Sequence, residues 1–222
     1  VPSKIKDAFH KFLHIFVKYY SLLLDVYKRI GQKKEMQESF VQQKSIESYQ
    51  SFLKQNGLKI PDFHVVLGSG FGLALGSATQ NTGWLLKAEL SFSDLPGLTP
   101  PTAPDHAGKF CFYHHAQTHQ TVCFQTGRLH GYEGHSPQEV VQTVMIPRLA
   151  GVKRFILTNA SGSLTKNFAP GDAMIIEDHF NFTGMNPLYG PNPIGPNREP
   201  LGPRFSDLSR LYDKELSQRL KA

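Results

Sequence analysis

Apolar runs and stretches of helical spacing alternate along the chain, and their order predicts its elements. A continuous apolar run at 63–72, FHVVLGSGFG, ends in glycines, which is typical of a buried strand that enters a tight loop. Before it, residues 32–57 place apolar side chains at helical spacing and predict a helix that stops at Gly57. Residues 109–116 and 120–127 predict two short strands that pair as a hairpin.

The second half continues the alternation. Residues 136–152 have Ser136 before a proline and an acidic residue in the first turn, so we expect a capped helix there. KRFILTNASGS at 153–163 predicts another buried strand that runs into a loop of small residues, and DAMIIEDHFNF at 172–182 predicts one more. A last helix is expected from near Ser206.

Glycine, proline and asparagine concentrate at 94–105 and 184–205, which predicts two long loops. Because strands alternate with helices and no internal repeat of fixed period is visible, the pattern indicates an α/β layered fold. Loops longer than ordinary connections are the better places to look for function.

The net charge of +6 changes this picture only at the N-terminus. Residues 1–34 hold eight Lys or Arg against two Asp, so the remainder sums to zero. A nucleic-acid-binding domain carries its basic residues across the folded body, and we therefore expect no nucleic acid partner. We divide the chain into a basic amphipathic N-terminal extension, 1–36, and a main domain, 37–222.

The extension has apolar residues at helical spacing, but Lys18 and Asp25 interrupt the run, so no membrane span is expected. A helix that binds a membrane surface or a partner stays open, although a helix packed on its own domain or oligomer is favoured. With only Cys111 and Cys123, neither a disulfide framework nor a cysteine metal site is expected, and a reduced cytoplasmic setting fits best. The N-terminal residues give no support for a signal peptide.

Four segments carry candidate chemistry. Residues 68–72, GSGFG, follow a predicted strand, and their backbone amides and Ser69 could approach an anion, although a plain tight turn is the alternative. The segment lacks the spacing of a dinucleotide loop or of a nucleotide P-loop. Residues 158–163, TNASGS, form another strand end with small side chains. His106 lies at a loop-to-strand junction, where a surface histidine is the local alternative.

The densest segment is GRLHGYEGH at 127–135. It places a guanidinium, an imidazole and a phenol at alternate positions after a predicted strand. If the strand continues, Arg128 and His130 project to one side, where the first can bind phosphate and the second can move a proton. Tyr132 continues that side and could meet a sugar.

In this order the motifs GSGFG, HAGK, GRLHGYEGH, TNASGSL, GDAMIIEDHFN and NPLYGPN resemble the trimeric-type purine nucleoside phosphorylases. The resemblance runs from about residue 40 to the end of the chain. It implies a three-layer α/β/α fold with a central mixed sheet flanked by helices, and a homotrimer. It also implies phosphorolytic cleavage of purine (deoxy)ribonucleosides to a free base and a (deoxy)ribose 1-phosphate, as in purine salvage. Inorganic phosphate would be a co-substrate, and no metal or organic cofactor is expected.

The resemblance implies roles for individual residues. Phosphate would be held by Ser69, Arg128, His130 and the backbone at Ala160, with His106 nearby. Arg128 and His130 would be the catalytic pair, and Tyr132 would contact the ribose. Ser161 and Gly162 would border the purine, while Glu133 would order the site from behind. A phosphate dianion held near the sugar would stabilise the positive charge that develops as the glycosidic bond breaks.

The chain ends at Ala222, before the Gly-Pro-x-Phe/Tyr-Glu-Thr segment and the Asn-bearing strand that recognise the purine in that family. We therefore expect either a fragment of a longer protein or a product without the base-recognition half. The alternative function is a noncatalytic phosphate- or nucleoside-binding protein.

Overall fold

A five-stranded mixed sheet lies at the centre of the structure, a computed structural model that describes residues 41–68, 71–80, 82–103 and 107–221. The extension 1–36 lies outside the described residues, and the proposed division of the chain there stays a prediction. The regular elements are α1 (Gln43–Gln55), β1 (Phe63–Leu67), α2 (Phe71–Thr79), β2 (Trp84–Ser91), β3 (Lys109–His115), β4 (Thr121–Thr126), α3 (Pro137–Val140), α4 (Gln142–Ala150), β5 (Phe155–Leu157) and α5 (Lys214–Lys221).

The strands lie in the order β2-β3-β4-β1-β5. The expected hairpin is confirmed, because β3 and β4 pair antiparallel, and β2 adds to its outer side. β1 pairs in parallel with both β4 and β5. Since parallel strands point the same way, the C-terminal ends of β4, β1 and β5 meet at one edge of the sheet.

Helices cover both faces of the sheet, which confirms the α/β fold with a mixed sheet between helical layers. Side chains of β3 alternate between the faces. Phe110 and Phe112 are buried on one face in a cluster with apolar residues of α1 and α4. Cys111 and Tyr113 lie on the other face in a second cluster with Leu75 of α2.

The two helices predicted from capping and spacing are present. In α1 the residues Ile46, Tyr49 and Leu53 are buried, and the chain leaves the helix at Gly57 with φ +62°, a conformation that favours glycine. Ser136 accepts a hydrogen bond from the backbone N–H of Glu139 at the start of α3, a cap worth about 1 kcal/mol. The expected single helix at 136–152 is divided into α3 and α4 at Val141.

Two predictions for the second half are wrong. No strand forms at 172–182, where Phe180 and Phe182 are about 90% exposed and, within the described residues, no neighbouring strand pairs with them. An apolar run lacks the hydrogen bonds of a sheet unless another strand lies beside it. The last helix begins at Lys214 and not near Ser206. β5 is also less buried than expected, since Leu157 is exposed at the edge of the sheet.

The sequence did not predict α2 and β2. α2 contains two glycines and a threonine, which are poor helix formers, so its local preference does not indicate a helix. In β2 the register shifts between Leu86 and Ala88, and this bulge breaks the alternation of apolar and polar positions that reveals a strand.

A buried polar pair joins β1 to β4 beneath the edge where the parallel strands end. His64 is fully buried, and its Nε2 lies 2.9 Å from Oε1 of Gln125. The Gln125 amide donates to the carbonyl of Gly127 at 2.8 Å and to the hydroxyl of Thr143 at 3.1 Å. The pair therefore ties the core to the backbone just before Arg128.

Burial of His64 makes the stability of the fold depend on pH. Burial lowers the pKa of His64 from 6.5 to about 4, and the hydrogen bond with Gln125 offsets only part of this effect. Below pH 6.5 the His64 imidazole of the unfolded chain binds a proton, whereas in the folded protein it stays neutral down to about pH 4. The free energy of unfolding therefore decreases as pH falls from 6.5 towards 4. We expect a loss on the order of 3 kcal/mol in the free energy of unfolding, measured by urea titration across this range.

His64→Gln should flatten the pH dependence between 6.5 and 4, because glutamine does not titrate. His119→Asn is the matched control: His119 is exposed in the hairpin with φ 56°, a conformation that asparagine tolerates. The control should keep the wild-type pH dependence. An unchanged slope in His64→Gln would show that His64 is not the titrating group.

Candidate active site at the ends of the parallel strands

Three of the segments with candidate chemistry meet at the edge of the sheet where β4, β1 and β5 end. Gly68 follows β1, Arg128 and His130 follow β4, and Thr158 follows β5. Hydrogen bonds join Gly68 and Arg128 directly to Thr158. β4 itself stops at Thr126, so Arg128 and His130 lie on an irregular segment and not on a continued strand.

The backbones at Gly68 and Thr158 lie against each other. The N–H of Gly68 donates to the Thr158 hydroxyl at 2.8 Å, and this hydroxyl donates to the carbonyl of Val66 at 3.0 Å. A Cβ atom on residue 68 would lie 2.6 Å from the Thr158 carbonyl oxygen and 2.7 Å from Cα of Asn159. Glycine is required here because of this close approach.

Arg128 extends from the end of β4 towards the same place. Its side chain is half-buried, and Nη1 donates to the carbonyl oxygen of Thr158 at 3.2 Å. Thr158, the first residue after β5, therefore contacts both Gly68 after β1 and the Arg128 guanidinium after β4. A guanidinium is planar and carries several N–H donors, a geometry that suits the oxygens of an anion.

His130 is oriented by Glu133. Its Nδ1 lies 2.7 Å from Oε1 of Glu133, and its backbone N–H donates to the same oxygen at 3.0 Å. Because an ionised carboxylate only accepts hydrogen bonds, Nδ1 carries the hydrogen and Nε2 is the ring nitrogen that can gain or release a proton. The ring of Tyr132 stacks on that of His130 with centroids 4.6 Å apart, while Tyr132 is 78% exposed.

The second oxygen of Glu133 holds the loop before His106. Oε2 accepts from the backbone N–H and the hydroxyl of Thr102 at 2.5 and 2.7 Å and from the N–H of Ala103 at 3.1 Å. Burial alone would raise the pKa of Glu133, but the bonds from Thr102, His130 and Ala103 lower it to about 2. Glu133 is therefore a fixed negative charge between His130 and this loop.

The remaining expected site residues fall into two groups. Ser69 and His106 lie outside the described residues, so their roles stay predictions. Ala160, Ser161 and Gly162 are exposed in the loop after β5, where Asn159 donates to the Ser161 hydroxyl at 2.7 Å and to the carbonyl of Ala160 at 3.1 Å. Their backbones follow directly from Thr158, at the same edge as Arg128.

Sequence reasoning missed two residues that support the site. Thr102 lies in a proline-rich loop, and nothing in the local sequence pattern indicates that it contacts Glu133. The side chain of Met185 packs against Gly131, where a Cβ atom would collide with it. Only the proximity of motifs in space could have revealed these contacts, because their partners are 31 and more residues away.

Other features of the described part do not compete with this site. A cavity lined by Glu177, Asp178, Tyr212 and Lys214, among others, shares no residue with it. Within the described ranges, no three His, Cys, Asp or Glu side chains are grouped so as to hold a metal ion. Among the described helices, none has the length and apolar character needed to cross a membrane.

Residues 65–222 match the model of the family described as the phosphorylase superfamily. The chain belongs to this superfamily. It is 38% identical over 172 residues to purine nucleoside phosphorylase 1 of Bacillus subtilis, a match that covers 78% of this chain and 59% of the relative. It is 36% identical over 160 residues to the purine nucleoside phosphorylase of Bos taurus, covering 72% of this chain and 52% of the relative.

A solved structure of isoform 2 of the Schistosoma mansoni purine nucleoside phosphorylase, in complex with cytosine and ribose-1-phosphate, matches with a TM-score of 0.64 and 27% identity. The match covers 82% of this chain and 60% of that chain. These similarities confirm the family resemblance drawn from the motifs. This superfamily member spans 52% to 60% of the length of the three proteins.

Glu133→Gln tests the clamp by which the Glu133 carboxylate holds both His130 and the loop residues Thr102 and Ala103. Glutamine has one acceptor oxygen, so it can satisfy either the donors of Thr102 and Ala103 or the backbone of His130, but not both. We expect amide hydrogen exchange over 102–103 or at His130 to accelerate by about tenfold or more, since bonds to a charged group contribute about 1.5–3 kcal/mol.

Glu139→Gln is the matched control, because the Glu139 carboxylate closes a capping box with Ser136 at the start of α3. It should leave exchange at Thr102, Ala103 and His130 as in the wild type. Equal exchange in Glu133→Gln and the wild type would contradict the clamp.

Proposed function

We propose that the full-length protein cleaves purine nucleosides with inorganic phosphate, releasing a free purine and a (deoxy)ribose 1-phosphate. The observation that carries this proposal is the meeting of Arg128, the His130–Glu133 pair and the Gly68–Thr158 contact at one edge of the sheet. The superfamily match and the relatives named purine nucleoside phosphorylase support it. They do not favour the alternative of a noncatalytic binding protein.

The phosphate would lie beside Arg128 and His130 and near the backbone of Ala160. α2 begins at Phe71, whose N–H donates to the carbonyl of Gly68 at 3.1 Å, so the partial positive charge of the helix N-terminus lies near Gly68. Ser69 and His106 would add a hydroxyl and an imidazole from the turns beside them. Phosphate bound here requires no metal ion or organic cofactor for the reaction, and it is itself a co-substrate.

Catalysis would follow from charge placement. As the bond between base and sugar breaks, the sugar gains positive charge, and a phosphate dianion held at its carbon stabilises that charge and then forms the new C–O bond. Arg128 fixes the phosphate, and His130 adjusts its protonation through Nε2 while Glu133 fixes the ring. The purine departs with the electron pair of the broken bond and takes up a proton.

The sugar and the base would lie on the solvent side of the phosphate. Tyr132 offers an exposed phenol next to His130 for the ribose, and the backbone at Ser161 and Gly162 would border the purine. Recognition of the purine would also use a Glu and an Asn of a later segment, as the family resemblance implies. We further propose a cytoplasmic homotrimer that serves purine salvage.

Phosphate-dependent release of hypoxanthine from inosine by the full-length protein tests the proposal. Activity should be lost when phosphate is omitted or replaced by sulfate. Absence of phosphate-dependent cleavage would refute the proposed function.

Arg128→Ala should lower kcat/KM for phosphate by roughly 100-fold or more, because it removes a charge-assisted contact to the dianion. Arg148→Ala, which changes an exposed arginine on α4, is the matched control and should keep wild-type kinetics. Unchanged phosphate kinetics in Arg128→Ala would overturn the role given to that residue, even if the protein is an active phosphorylase.

A further inference from the structure

Thr158 is the residue through which the three strand ends contact one another. Its hydroxyl accepts from the N–H of Gly68 at 2.8 Å and donates to the carbonyl of Val66 at 3.0 Å. Its carbonyl oxygen accepts from Arg128 Nη1 at 3.2 Å. Gly68 after β1 and the Arg128 guanidinium after β4 are thus both hydrogen-bonded to Thr158, the first residue after β5.

The hydroxyl is not needed to extend the sheet. The backbone N–H of Thr158 already donates to the carbonyl of Val66 at 3.0 Å, which continues the pairing of β1 with β5. The hydroxyl adds a second bond to that carbonyl and uses its oxygen to hold Gly68. Because its one hydrogen is committed to Val66, its oxygen is directed as an acceptor towards Gly68.

The bond to Gly68 fixes the peptide plane at the end of β1. Gly68 is buried and leaves no room for a side chain against Thr158, so the two backbones have one close arrangement. Loss of the hydroxyl would leave the Gly68 N–H without this acceptor in a buried place. The peptide plane of Gly68 could then rotate, and its distance from Arg128 would vary.

We propose that Thr158 is a positioning residue that sets the Gly68 backbone and the Arg128 guanidinium at the separation that phosphate requires. It acts through its hydroxyl on Gly68 and through its carbonyl on Arg128, without touching substrate itself. This inference rests on the proposed function, because it assumes that phosphate is bound at this edge. Loss of the hydroxyl should therefore raise KM for phosphate more than KM for the nucleoside.

Thr158→Val tests the inference because it replaces the hydroxyl by a methyl group of similar size, and Thr158→Ser keeps the hydroxyl. In the full-length protein, KM for phosphate should rise about tenfold in Thr158→Val, as expected for one lost hydrogen bond. KM for inosine at saturating phosphate should change less than about twofold. Thr158→Ser should restore KM for phosphate to within about threefold of the wild type.

Thr165→Val is the control, since Thr165 is exposed in the loop and forms hydrogen bonds with Ser163 and Asn167. It should match the wild type. If Thr158→Val does not fold, as judged by thermal melting, Thr158→Ala takes its place. The inference is overturned if KM for phosphate is unchanged, if Thr158→Ser behaves like Thr158→Val, or if both KM values rise equally.

Calorimetric titration with inorganic phosphate separates this inference from the proposed function. If the wild type binds phosphate but does not cleave inosine, the proposed function fails, and a tenfold weaker Kd for phosphate in Thr158→Val still supports the positioning role. If the wild type cleaves inosine while all variants bind phosphate equally, only the positioning role fails. If the wild type binds no phosphate, both fail.

Discussion

The parallel pairing of β1 with β4 and β5 is the constraint on which the candidate site depends. It directs the C-terminal ends of three strands to one edge, where Gly68, Arg128 and Thr158 come within hydrogen-bond distance. These residues are up to 90 positions apart in sequence, so no local preference could bring them together. The chemistry of each segment is ordinary by itself, and it becomes specific through this arrangement of the sheet.

The core beneath this edge is polar where it supports the site. His64 and Gln125 are fully buried between apolar strands, and Gln125 fixes the carbonyl of Gly127 just before Arg128. A buried pair of this kind contributes less to stability than an apolar pair of similar volume, yet it fixes hydrogen-bond directions that apolar side chains leave open. We interpret it as the structural basis for the direction in which the chain leaves β4.

The sequence predicted those elements whose local pattern agrees with their environment. Ile46, Tyr49 and Leu53 mark one face of α1, and the apolar run at 110–113 forms the buried part of β3. The sequence pattern failed where tertiary contacts determine the secondary structure. The bulge after Leu86 interrupts the strand pattern of β2, and the apolar run at 172–182 has no partner strand among the described residues. For the site, the motifs indicated the segments, whereas the bonds of Glu133 to Thr102 required the fold.

The electrostatics of the site are organised around one negative charge and one positive charge on the same segment. Glu133 stays ionised far below neutral pH, so its carboxylate always faces Nδ1 of His130. The carboxylate lies 2.7 Å from Nδ1, where it would balance a positive charge on the imidazole ring. Arg128 brings a guanidinium to the same edge, where it donates to the carbonyl oxygen of Thr158 at 3.2 Å. This pairing of charges fits the proposed function, in which Arg128 would attract the phosphate and His130 would exchange a proton with it.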